Sequence, residues 1–78
     1  MYNYSFTEND GAIKIITPKV NSLKDVKIET KQTNECIINH SIYPNGLDIT
    51  MTQLANKILI SANHKLVKND DGSFIFEN

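Results

Sequence analysis

Arginine is missing from this sequence; its eight basic residues are all lysine. Arginine makes the planar, bidentate contacts by which proteins most often hold phosphates and guanine edges, so its absence weighs against nucleic-acid recognition. The formal net charge is −1, nine acids against eight bases. That balance lacks the broad basic footprint of a nucleic-acid binder, and the acids are too few and scattered for a DNA mimic. A single cysteine, Cys36, excludes an internal disulfide. No CxxC or HxxxH spacing occurs, and His40 and His64 fall on separate expected elements, which argues against a structural zinc site. The three glycines, Gly11, Gly46 and Gly72, are dispersed, so no phosphate-cradling loop is present. No apolar block of signal-peptide length follows Met1, and none approaches a membrane span. The expectation is a cytoplasmic protein without membrane contact, cofactor or metal.

What is present is an ordinary globular composition, 40% hydrophobic and 22% charged, in a chain with room for one thin core and therefore one domain over residues 1–78. Ile, Asn and Lys have A/T-rich codons and supply 29 of the 78 residues. That bias is compatible with a low-GC bacterium or its phages and carries no chemistry.

Tyr2, Tyr4 and Phe6 alternate with polar residues as in a half-buried strand. Asp10-Gly11 is a strong hairpin-turn signal, and Ile13 to Thr17 reads as the returning strand, ended by Pro18. Val26, Ile28 and Thr30 alternate with Lys27, Glu29 and Lys31. Across a short connection at 32–34, Cys36, Ile38, His40 and Ile42 share one face of a fourth strand, so the two should pair as a second hairpin. Tyr43-Pro44-Asn45-Gly46 reverses the chain. Leu66–Lys68 and Phe74–Glu77, around Asn69-Asp70-Asp71-Gly72, form a third hairpin pattern.

Between these stands the stretch from Ile49 to His64, whose spacing predicts a helix. Thr50 suits the N-cap, Gln53 the capping box, and Ile49 with Leu54 the hydrophobic staple. Met51, Leu54, Ala55, Ile58, Leu59 and Ala62 recur at steps of three and four, one apolar face of a helix. The predicted fold class is therefore α+β: an antiparallel sheet of four to five strands packed against one helix, in the order ββββα(ββ). Its sheet would bury Tyr4, Ile13 or Ile15, Val26, Ile28, Ile38 and Ile42, with Phe74 or Phe76 at one end.

Candidate chemistry is sparse. Cys36 and His40, four apart on a strand, would lie about 13 Å from each other, too far for a nucleophile–base contact or a shared metal. Cys36 is expected to be buried and inert. The Asn69–Ser73 stretch lacks the twelve-residue calcium-loop pattern and reads as a turn. On the predicted helix, the outer face carries Gln53, Asn56, Lys57 and His64 around Ile60, an apolar residue ringed by polar groups as interface centres often are. These five residues are the expected partner-binding set. The functional expectation is a small non-enzymatic protein-binding module, in its sharpest form a stoichiometric inhibitor of a larger host or defence enzyme. The alternative is a structural or self-associating protein, a homodimer through its open sheet face. A helix followed by a hairpin also matches part of a winged helix, but with one lysine and no arginine on that face a nucleic-acid partner is disfavoured.

Overall fold

Alternation at period two recurs along the chain, and the computed structural model, which describes residues 1–77, is built of short strands joined by turns and links. In chain order they are β1 (Tyr2–Thr7), β2 (Ile15–Ile16), β3 (Lys27–Gln32), β4 (Ile37–Ile42), β5 (Asp48–Gln53), β6 (Lys57–Ala62), β7 (Leu66–Lys68) and β8 (Phe74–Phe76). Single 3₁₀ turns stand at Glu8–Asp10 and Leu23–Asp25. The strands make a five-stranded antiparallel sheet, ordered β1-β6-β5-β4-β3, and a three-stranded sheet, ordered β2-β8-β7. In the smaller sheet β2 runs parallel to β8. No helix among the described residues is long and apolar enough to cross a membrane.

The α+β expectation is overturned at its centre. The stretch from Ile49 to His64 is not a helix but most of the β5–β6 hairpin, turned at Leu54–Asn56 and closed where the Leu54 N–H donates to the Lys57 carbonyl at 2.9 Å. Two periodicities coexist in these residues. The helical one uses Met51, Leu54, Ala55, Ile58, Leu59 and Ala62. The strand one uses Ile49 and Met51 on β5, then Ile58, Ile60 and Ala62 on β6. Five β-branched residues (Ile49, Thr50, Thr52, Ile58, Ile60) favour extended backbone, and as strands both segments gain a second neighbour, β4 for β5 and β1 for β6.

Cross-strand partners share a face, so the register assigns the core. Tyr4 pairs with Ile60 and Ile60 with Met51; Ala62 pairs with both Tyr2 and Ile49. This inner face is covered by Leu66, Phe74, Phe76 and Ile15 of the smaller sheet, with Leu47 enclosed between. Phe6 and Phe74 meet edge to face, ring centroids 5.3 Å apart. The arrangement is a two-layer β-sandwich whose smaller layer covers only part of the larger one.

Several expected core positions move accordingly. Tyr4 and Ile15 do pack against the core, and Val26 is buried just before β3. Ile28 is 56% exposed on the open edge strand. Ile38 and Ile42 lie on the outer face, in register with Thr52 and Asp48, because β4 carries isoleucine on both faces and its own sequence does not choose between them. Cys36 is half-buried at the β3–β4 turn, its Sγ 3.5 Å from the Thr33 hydroxyl, rather than deep in the core. Asp10-Gly11 does turn the chain, with Gly11 at φ 75°. The turn does not make a hairpin: β1 pairs with β6, and β2 crosses to the other sheet. The β3–β4 and β7–β8 hairpins form as expected.

Candidate functional site

The β5–β6 turn projects beside the link from β1 to β2, and between them lies a broad, open cleft of about 460 Å³. Its floor is apolar: Phe6 from β1, Ile13 from the link, Leu54 from the turn and Ile58 from β6, all half-buried. Its rim is polar and exposed, with Glu8 on one side and Gln53, Asn56 and Lys57 on the other. Local chemistry holds both walls. Asp10 accepts the Thr7 N–H at 2.6 Å, which tightens the chain as it leaves β1, and Gly11 donates back to the Glu8 carbonyl. Lys57 is the cross-strand partner of Thr7, and Glu8 follows Thr7 in the 3₁₀ turn that leaves β1.

Three of the five residues expected to form the binding set, Gln53, Asn56 and Lys57, gather on this rim. The other two do not join them. Ile60 is 2% exposed, in the middle of the core, so the expectation that it points to solvent is corrected: the strand period of β6 turns it inward, where the helical period would have turned it out. His64 follows the far end of β6, about 17 Å along the strand from Lys57. Its Nδ1–H donates to the Glu77 carbonyl at 2.8 Å, and it lines a small cavity of about 140 Å³ with Pro18, Leu47 and Ile75. The floor of the cleft is not legible in the sequence: Ile13 reads as part of a strand but lies in the link before β2, and Leu54 reads as part of a helix's apolar face but turns the β5–β6 hairpin.

A second polar arrangement lies on the outer face of the larger sheet. His40 Nε2 is 2.7 Å from Asp48 Oδ1, both side chains about a third exposed. The pair joins β4 to β5 diagonally; a helix beginning at Ile49 would leave Asp48 outside any strand and would not bring the two together. Shallow ground lies beyond it, lined by Asn3, Ser5, Thr50, Thr52, Leu59 and Ser61. At the β7–β8 turn, Asp71 accepts the Ser73 hydroxyl at 2.6 Å and the Ser73 N–H at 3.0 Å. Those bonds, the hydroxyl first, hold its carboxyl below the usual range. The ligands here are the turn's own backbone and side chains, which is turn chemistry. Among the described residues no group of three or more His, Cys, Asp or Glu is placed to hold a metal ion.

No family model, curated protein or solved structure matches this chain.

Proposed function

We propose that the protein is a non-enzymatic protein-binding module whose cleft at the β5–β6 turn receives an apolar side chain from an exposed segment of a larger protein. The observation that carries this reading is the cleft's make-up: an apolar floor of Phe6, Ile13, Leu54 and Ile58 inside a rim bearing both signs of charge. Interface centres are built in this way, an apolar anchor desolvated by surrounding polar contacts. The breadth of the cleft supports a protein surface over a small molecule, which is bound with most of its own surface enclosed. The His40–Asp48 pair lies on the outer face of the sheet, away from this floor, and acts as a bridge between strands. Inhibition of a larger enzyme, of host or defence origin, is the form in which so small a domain would act by occlusion, and it belongs to the same proposal.

The test is a photo-cross-linking side chain at Asn56, with one at Lys24, near the opposite edge of the sheet, as control. The expected result is one dominant adduct from Asn56, in one-to-one ratio, that Lys24 does not give. Adducts that do not depend on position, or only with a second copy of the chain, would overturn the reading.

A further inference from the structure

β3 is the last strand of the larger sheet, bonded only to β4 among the described residues, and all six of its residues are exposed. The β3–β4 hairpin closes where the Thr33 N–H donates to the Cys36 carbonyl at 2.9 Å. Hydrogen-bonded pairs alternate along an antiparallel ladder. Lys31, Glu29 and Lys27, in step with Thr33, therefore turn their backbone groups toward β4, while Ile28, Thr30 and Gln32 turn theirs outward. Such a row of free N–H and C=O groups is a template for another strand.

We infer that a second copy of this chain occupies that edge, β3 pairing antiparallel with the partner's β3 about a two-fold axis at Thr30. Charge complementarity selects this occupant and this register. Only registers that set outward groups against outward groups can form a ladder. Centred on Thr30, the pairing sets Glu29 opposite Lys31 twice, Ile28 opposite Gln32 twice, and Thr30 opposite its counterpart. The charged pairs fall at the non-hydrogen-bonded positions of the new ladder, where strands approach to about 4.5 Å between Cα atoms. Moving the centre to Glu29 sets Glu29 against Glu29 and Lys27 against Lys31; moving it to Lys31 sets Lys31 against itself. Like charges directly opposite are unfavourable. A centre at Ile28 restores opposite charges but runs the ladder into Val26, whose N–H is already held by the Leu23 carbonyl at 3.2 Å. Of the registers that set opposite charges against each other, the one at Thr30 lies wholly within β3. It joins two five-stranded sheets into one continuous sheet and leaves the clefts, at the other side of each sheet, open. A pairing this short belongs to the small, transient class of interfaces, so the dimer is weak and its population depends on concentration.

Sedimentation velocity of the full chain at low salt, from about 5 to 500 µM, tests the inference. The expected mass rises from 8.8 kDa toward twice that value. Thr30→Pro removes an outward N–H that β4 does not use, so the fold persists by circular dichroism and the dimer is lost. Glu29→Lys turns two opposite-charge pairs into like-charge pairs and weakens association about tenfold. The double exchange E29K/K31E restores it, because each pair again carries opposite signs. A wild-type protein that stays at 8.8 kDa throughout would overturn the inference, as would a dimer indifferent to both Thr30→Pro and Glu29→Lys. Failure of the double exchange to restore association would overturn the register at Thr30, since in the register centred on Ile28 it sets Lys27 against a new lysine. If Thr30→Pro does not fold, the charge exchange decides alone.

Discussion

The hydroxyl of Tyr4 accepts the backbone N–H of Leu66 at 2.8 Å. This bond joins the edge strand β1 of the larger sheet to the first residue of β7 in the smaller one, across 62 residues of sequence. Leu66 is buried, so its N–H has no solvent to turn to.

Tyr4→Phe keeps the ring and removes the acceptor. Leaving a buried backbone donor unsatisfied costs about 1–3 kcal/mol, and the urea midpoint should fall accordingly. Tyr2→Phe, at an exposed position, should stay within about 0.5 kcal/mol of the parent. Equal midpoints for the two variants would show that water replaces the Tyr4 hydroxyl.

Ile60 has Tyr4 on one side and Met51 on the other. Its truncation to Ala should cost about 2–5 kcal/mol, the sum of lost transfer energy and a cavity. Ile60→Asp would put an unpaired charge into the core and should prevent cooperative unfolding altogether. Leu59→Ala, on the outer face one residue away, should cost less. The reverse ranking would restore a helical face with Ile60 outward.

That ranking also marks where the sequence could be read and where it could not. Strand alternation in Tyr2–Phe6 and Val26–Lys31, and turn chemistry at Asp70-Asp71-Gly72, are local signals, and the structure uses them locally. In the stretch from Ile49 to His64 the apolar residues satisfy steps of two and of three to four at once, and Thr50 is as good a strand residue as a cap. What decides is non-local: β6 finds β1, some fifty residues upstream, and as a strand it is hydrogen-bonded on both sides. The face of β4 was ambiguous for a related reason, isoleucine at Ile37, Ile38 and Ile42 on both parities. Gln53, Asn56 and Lys57 meet at the cleft because they are close in sequence, whereas Phe6, Ile13 and the His40–Asp48 pair come together only through the fold.

Asp71 gives a pH dependence with a definite sign. Its carboxyl is held below the ordinary value of 3.8 by the Ser73 hydroxyl and N–H. A depressed folded-state pKa contributes stability that is present above the unfolded value and lost as pH falls through the folded one. The group is solvent-exposed, so the effect is small. Asp71→Asn should therefore be less stable than the parent at pH 6, and the gap should narrow below about pH 4. Urea titrations of both proteins from pH 2 to 7 would show it; a gap that does not change with pH would mean that proton linkage at Asp71 plays no part.

If an apolar side chain from a partner enters the cleft, filling the cleft should abolish binding without disturbing the fold. Ala12 is exposed on the cleft wall, opposite the β5–β6 turn, and a phenylalanine there can lie over Ile13 and Leu54 without displacing a core residue. Ala12→Phe should leave the urea midpoint within about 0.5 kcal/mol of the parent, as surface substitutions usually do. Truncation of a central anchor typically costs 2 kcal/mol or more, and excluding the anchor should cost at least as much, about thirtyfold in affinity for the protein cross-linked from Asn56. Lys57→Ala, at the rim, should weaken the same complex by less than about tenfold. The measurement is titration calorimetry with that partner at matched salt. Full affinity in Ala12→Phe would move the binding surface away from the β5–β6 turn, and a lowered midpoint in the same variant would mean that the cleft is part of the core's own packing.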